Sequence, residues 1–195
     1  KLYKVYSKNI VVMPSAVDSV FDIAFWFTDR ALNANEYLQP LKLQYLLYLS
    51  QSYYGAAYNG RKLFPAIFVA EKGGPVEPSV HRAWARERPN FDGIAVLSDD
   101  IKVFSDSIWR RFGHHSSEHL SKLCCRTPAY QTAYTRGIRA EIILKEMIHD
   151  IALAGDLPEL LQVVKPKLIR SSNTGRAVEV KAWSPPVLGK NKPRI

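Results

Sequence analysis

Cysteine is scarce in this sequence. Only two of the 195 residues are Cys, and the two are neighbours, Cys124 and Cys125. Adjacent cysteines cannot join distant parts of a chain, so a disulfide-stapled secreted scaffold is excluded and a reducing compartment is favoured.

Long apolar runs are also missing, since stretches such as 25–27 and 142–144 fall far short of the roughly 20 residues that a transmembrane helix needs. The basic start of the chain lacks the apolar stretch of a secretory signal, and we therefore expect a cytoplasmic protein with no membrane partner.

The rest of the composition is ordinary for a globular protein. Apolar residues make up 47% and charged residues 23%, which argues against collagen-like and disordered classes. A chain of this length suits one core and is short for two ordinary domains. Met13 is a possible natural start, so we interpret residues 1–12 as an N-terminal extension or a cloning remnant. We predict one domain over residues 13–164 and a basic, flexible tail over residues 165–195.

Positive charge is concentrated at the two ends of the chain. The net charge is +9, but residues 13–156 hold 16 basic and 16 acidic residues. Residues 157–195 carry eight basic and two acidic residues. A domain that grips phosphates usually carries the charge on its folded surface. We therefore keep nucleic-acid binding only as an alternative function, acting through the tail.

Apolar residues recur at three- and four-residue spacing along most of the domain, which predicts a mainly α fold of about six helices. A small β-hairpin or two short strands complete it. The predicted segments are a helix capped by Ser15 with Asp18, a nearly all-apolar central helix from Pro40 to about Asn59, a strand within 63–70, a short helix after Pro78, a short strand at 94–97, a helix from Ser98 to Gly113, a short helix capped by Ser117, and a helix over 137–154. On the last helix, Glu141, Glu146 and Asp150 are interpreted as its solvated face.

Two further features bear on packing. Five tyrosines crowd the second helix, at positions 45, 48, 53, 54 and 58, with Lys42 the only charge among residues 41–59. Stacking platforms for single-stranded nucleic acid interleave aromatics with basic residues, so core or interface packing is favoured.

In the tail, Val178, Val180 and Trp183 form an alternating apolar patch. This patch either pairs with a sheet edge or a partner, or folds back on its own domain, and the sequence leaves both open.

Candidates for chemistry are weak. His114, His115 and His119 precede Cys124 and Cys125, but their spacing matches no recognised zinc motif, and packing is preferred to metal binding or to a cysteine nucleophile. The 73–75 segment, Gly-Gly-Pro, lacks the remainder of a phosphate-binding loop and reads as a tight turn. We expect no catalytic residue, no metal and no cofactor.

A resemblance to a known family rests on three segments in order. They are residues 38–48 (LQPLKLQYLLY) continued by Gln51, then Leu63 with Phe64, then residues 70–76 (AEKGGPV). Together they resemble the Panacea-domain family of SocA-like, phage-associated antitoxins, over about residues 17–151. The residues that match the family motif include Lys42, Gln44, Tyr48 and Gln51.

The resemblance implies a cytoplasmic antitoxin, one partner of a toxin–antitoxin system. It would neutralise a cognate toxin by direct binding, or act as a proteolytic adaptor that delivers the toxin to a ClpXP-type protease. No chemistry by the domain is required. We assign the partner-binding surface to Lys72, Gly73, Gly74 and Pro75, together with the tail patch Val178, Val180 and Trp183. Lys42, Gln44, Tyr48 and Gln51 have the alternative role of organising the fold, because a polar side chain buried in an apolar helix needs a partner.

Overall fold

The computed structural model describes residues 14–90, 96–153, 155–164, 168–170 and 177–179. Within these ranges the fold is mainly α, as predicted, with eight helices and a small antiparallel sheet. The chain divides into two units, residues 1–164 and 165–195. The helices of the first unit are α1 (Val20–Asn33), α2 (Pro40–Ala57), α3 (Pro78–Ala83), α4 (Asp99–Phe112), α5 (Ser117–Cys125), α6 (Pro128–Arg136), α7 (Leu144–Ala152) and α8 (Leu160–Val163). Its strands are β1 (Phe68–Glu71), β2 (Gly74–Val76) and β3 (Glu141–Ile142).

Helix α2 is the centre of the domain, as its apolar sequence predicts. It begins with Pro40 at its first position, where the missing N–H is not needed, and it packs against α1, α3, α4, α5, α7, α8 and β2. Four of its tyrosines, Tyr45, Tyr48, Tyr53 and Tyr54, are at most 3% exposed. The preference for packing over base stacking is therefore confirmed for these four.

The contact between α2 and α7 is unusually close at Gly55. A Cβ atom on Gly55 would lie 2.6 Å from Cδ1 of Ile148. Nonbonded carbon atoms do not approach each other this closely, so a larger residue at position 55 would have to displace the Ile148 side chain.

The start of α1 differs from the prediction. The helix begins at Val20, and its capping box is formed by Ser19 and Asp22 rather than by Ser15 and Asp18. The N–H groups of Ala16 and Val17 instead donate to the carbonyl oxygens of Lys62 and Leu63, at 3.0 and 2.9 Å. Pairing with a distant segment thus holds Ala16 and Val17 outside the helix.

The predicted helix over 137–154 is wrong in its first half. Gly137 and Arg139 have positive φ angles of 142° and 67°, which no α-helix accommodates. The chain then forms β3, where Ile142 pairs with Phe68 of β1, and α7 begins only at Leu144. The interpretation of the three acids as one solvated face fails with it. Glu141 lies in β3, and Asp150 is only 5% exposed.

Asp150 instead caps α6, a helix that the sequence pattern did not predict. Its Oδ2 accepts a hydrogen bond from the N–H of Ala129 at 3.0 Å, in the first turn of α6. Thr127 is the N-cap of that helix and Pro128 occupies its first position. The short helix predicted just before it is present as α5, with Ser116 rather than Ser117 as N-cap.

The sheet has the strand order β2–β1–β3, and all of its pairs are antiparallel. β1 and β2 form a hairpin in which Glu71 pairs with Gly74, so the predicted tight turn is confirmed.

The helix predicted after Pro78 and the helix predicted from Ser98 to Gly113 are also present, as α3 and α4. In the strand predicted at 94–97, Ile94 and Ala95 lie outside the described residues, and Leu97 belongs to no strand.

The second unit contains a two-stranded hairpin of β4 (Leu168–Arg170) and β5 (Ala177–Glu179). Val178 of the predicted tail patch pairs with Ile169, so its strand partner comes from the same tail. Val180 and Trp183 lie outside the described residues, as does most of the tail whose flexibility was predicted. No helix in the described part of the chain is long and apolar enough to cross a membrane.

Candidate partner-binding site

The turn between β1 and β2 is held by side chains from three helices. The hydroxyl of Tyr45 on α2 and that of Ser121 on α5 both donate to the carbonyl oxygen of Gly73, each at 2.7 Å. The hydroxyl of Tyr130 on α6 donates to the carbonyl oxygen of Glu71 at 2.5 Å. Burial raises the pKa of both tyrosines, so both hydroxyls stay protonated and remain donors.

Gly74 fits this turn because it has no side chain. Its φ angle is 133°, which disfavours other residues. A Cβ atom there would also lie 2.7 Å from Cε1 of Tyr45. The tyrosine ring therefore packs directly on the backbone of β2.

The end of β2 is fixed by a glutamine and a glutamate. The Oε1 of Gln44, fully buried in α2, accepts from the N–H of Glu77 at 2.7 Å. The carboxylate of Glu77 in turn accepts from the N–H of Val80 at 2.7 Å and caps α3. Gln44 thus connects the central helix to the segment that leaves the hairpin. Its Nε2 has no hydrogen-bond partner among the described residues.

Gln51 performs a similar task for the segment before β1. Its Oε1 accepts from the N–H groups of Leu63 and Phe64, at 3.0 and 3.3 Å, and its Nε2 donates to the carbonyl oxygen of Phe64 at 3.1 Å. The side chain is 1% exposed. One amide thus satisfies three backbone groups of a buried, non-helical segment.

The other two motif residues also contact the fold. The hydroxyl of Tyr48 lies 3.2 Å from that of Thr127, and its ring packs edge-on against Phe68. Lys42 places its Nζ 5.9 Å from the centre of the Trp109 ring. Gln44, Tyr48 and Gln51 are thus fully buried and organise the fold, which was the alternative role considered for them. Lys42 is partly exposed.

The four hairpin residues predicted to bind the partner differ in their exposure. Lys72 and Gly73 are exposed, whereas Gly74 and Pro75 are buried. The hairpin therefore presents a short tip, consisting of the Lys72 side chain and the neighbouring backbone. Because its carbonyl groups are already bound by Tyr45, Ser121 and Tyr130, this tip is held in one conformation before any partner arrives.

The histidines and the cysteines lie in different surroundings. No group of three or more His, Cys, Asp or Glu side chains within the described ranges could hold a metal ion. The rings of His115 and His119 stack on each other with centres 4.4 Å apart. Cys124 is fully buried, and burial raises the pKa of its thiol well above the ordinary value, so this thiol is a poor nucleophile.

The residues that hold the β1–β2 turn are not evident from the sequence. The sequence indicates only a packing role for Tyr45 and no role for Ser121 or Tyr130. They lie 28, 48 and 59 residues from their partners along the chain, a separation at which no local pattern reveals contact. The start of α6 was legible in the sequence, since Thr127–Pro128 is a typical helix-start signal.

Comparisons with known proteins give no relative. No family model, no curated protein and no solved structure matches this chain.

Proposed function

We propose that this protein is a cytoplasmic antitoxin that neutralises a cognate toxin by direct binding. The observation that carries the proposal is the β1–β2 turn, whose exposed tip at Lys72 and Gly73 is fixed by hydrogen bonds from α2, α5 and α6. A preorganised tip loses little conformational entropy when it binds a protein surface. The resemblance of residues 38–51, 63–64 and 70–76 to the Panacea-domain family supplies the toxin as the kind of partner. The domain acts in this proposal as a binding module and not as an enzyme.

Delivery of the toxin to a ClpXP-type protease is the second part of the proposal. The tail over residues 165–195 supplies the segment that would dock the protease. A tethered segment raises the effective concentration of a second partner without any new contact on the domain.

The test is co-expression with the product of the neighbouring gene. The full chain is expected to co-purify with that product and to restore growth when the product is toxic. Lys72→Glu should weaken the complex, whereas Lys145→Glu, the same charge change at an exposed position on α7, should leave it unchanged. Absence of a complex with the unaltered chain would contradict the proposed function. A complex that survives Lys72→Glu at full strength would exclude the turn as its contact.

Nucleic-acid binding through the tail is the second candidate function. It is favoured by the excess of six positive charges in residues 157–195. Deletion of residues 165–195 should then abolish both binding and its salt dependence. Binding that persists in the deletion variant would place it elsewhere.

A further inference from the structure

Basic side chains from three helices meet at one place on the surface. This basic cluster consists of Lys42 on α2, Arg111 on α4, His114 and His115 in the α4–α5 connection, and His119 on α5. The rings of His115 and His119 stack with their centres 4.4 Å apart, and Arg111 and His114 lie within four residues of His115 along the chain. Lys42 places its Nζ 5.9 Å from the centre of the Trp109 ring, two residues before Arg111 on α4. Burial lowers the pKa of His115, and the neighbouring His119, Arg111, His114 and Lys42 lower it further. Arg111, His114 and His119 are exposed, and the other two are partly exposed.

The cluster has little compensation from acidic groups. Neither Lys42 nor Arg111 forms an ion pair with a carboxylate in the described part of the chain. Asp106, the acid of α4 closest to Arg111 along the sequence, is already shared by Arg30 and Arg110, at 3.4 and 3.1 Å. Glu118 is exposed in the first turn of α5, beside His119. A surface that gathers like charges in this way carries a positive potential.

Lys42 is placed against the stability of its helix, and so is His119 whenever its imidazole is protonated. Lys42 and His119 each occupy the third position of a helix, close to the positive end of the helix dipole. A cation there costs about 0.3–1 kcal/mol, where a carboxylate would stabilise by a similar amount. Helix α2 has no acidic residue in its first turn, and its N-cap Gln39 makes no side-chain hydrogen bond. Residues that destabilise their own helix are expected at binding sites, where their side chains contact a partner.

The surroundings favour a protein segment over nucleic acid as the occupant. The aromatic ring beside Lys42 is that of Trp109, which is 1% exposed and offers no face for stacking bases. Tyr37 and Leu41, just before Lys42 in the chain, are 79% and 46% exposed. Tyrosine and arginine, here the exposed Tyr37 and Arg111, are residue types enriched at protein–protein interfaces. Carboxylates are the charged groups of proteins that complement such a surface.

We propose that the basic cluster binds a carboxylate-rich segment of the partner protein. The inference rests on the proposed function, because it names the chemistry by which that partner is recognised. The hairpin tip would then provide one contact, and the basic cluster a second, electrostatic contact that speeds the encounter.

The experiment is a titration of the full chain with an octaglutamate peptide, followed by amide NMR shifts. The shifts should be largest around residues 42, 111–115 and 119. Affinity should fall when NaCl is raised from about 10 mM to about 100 mM, because the screening length shortens from about 30 Å to about 10 Å. An octaglutamine peptide should produce no comparable shifts.

The variant Lys42→Glu with His119→Glu should bind octaglutamate about tenfold more weakly, a loss of about 1.4 kcal/mol. Both changes put a carboxylate in a first helical turn, so the variant is expected to fold. The matched control is Lys145→Glu with His81→Glu, the same residue types at exposed positions of α7 and α3, and it should bind like the unaltered chain.

Three results would overturn the inference. They are shifts confined to residues 165–195, equal affinities in the two variants, and tighter binding of a single-stranded oligonucleotide than of octaglutamate at the cluster. The neighbouring gene's product separates this inference from the proposed function. If the cluster variant captures that product as well as the unaltered chain does, the inference fails and the proposed function stands. If the unaltered chain captures no such product but binds octaglutamate at the cluster, the proposed function fails and carboxylate recognition stands.

Discussion

The β1–β2 turn and the basic cluster are built in opposite ways, although α2 and α5 contribute to both. At the turn, Tyr45 and Ser121 direct their hydroxyl groups at one carbonyl oxygen, so polar groups are used to fix the backbone. In the cluster, Lys42 and His119 lie at helix starts, where a positive charge is unfavourable. The turn gains stability from its polar residues, whereas the cluster gives stability up. The difference indicates that separate residues of the same two helices supply rigidity and charge.

The largest expected effect comes from Gly74→Ala in the turn. The new Cβ atom must accept a φ angle of 133° and a contact of 2.7 Å with Tyr45, which together should lower the free energy of unfolding by about 3 kcal/mol. Urea denaturation measures this change.

Gly60→Ala is the matched control for that variant. Gly60 also has a positive φ angle, 85°, but nothing lies within 4 Å of the position of its Cβ atom. The expected loss is about 1 kcal/mol, from the backbone alone. Equal losses in the two variants would mean that Tyr45 does not confine the turn.

The next largest effect concerns the two hydroxyl groups that donate to the carbonyl oxygen of Gly73. Tyr45→Phe and Ser121→Ala each remove one hydrogen bond and should each cost about 1 kcal/mol in the free energy of unfolding. Because both hydroxyls donate to the same oxygen, the double variant should show a coupling energy in a double-mutant cycle. Strictly additive losses would show that the two hydrogen bonds act independently.

In the basic cluster the sign of the effect should reverse. Lys42→Glu places a carboxylate at the positive end of α2 and removes one positive charge from the cluster, so it should raise the free energy of unfolding by about 1 kcal/mol. Lys145→Glu makes the same change in the first turn of α7, away from the cluster, and should stabilise less. A thermal or urea unfolding series on the two variants gives the comparison. Destabilisation by Lys42→Glu would contradict the view that the cluster gives up stability.

The smallest effect concerns pH. The folded chain lowers the pKa of His115 by burial and by the charges of Lys42, Arg111, His114 and His119, relative to about 6.5 in the unfolded chain. The stability linked to this group is therefore present above about pH 6.5 and is lost as pH falls through the lower folded value. His115→Gln should make unfolding less dependent on pH in this window, as measured by urea midpoints. An unchanged dependence would show that His115 is not held neutral by the fold.

Local patterns were sufficient for part of this fold. The proline at the start of α2, its apolar sequence and the Gly-Gly-Pro turn each report on their own neighbourhood, and each prediction from them was confirmed. Strand β3 was missed because Ile142 pairs with Phe68, a contact between distant segments. The same limit applies to the site. Tyr45, Ser121 and Tyr130 meet one turn from three helices, and the basic cluster assembles from three helices, so neither has a continuous sequence signature.

The adjacent cysteines have a practical consequence. Cys124 is fully buried, whereas Cys125 is partly exposed and lies 3.9 Å from the hydroxyl of Ser121, which holds Gly73. A maleimide dye should attach to Cys125 well before it reaches Cys124, since thiol chemistry requires both access and the thiolate. The natural chain thus offers its own labelling position next to the hairpin, where a fluorophore would report the arrival of a partner without any introduced residue.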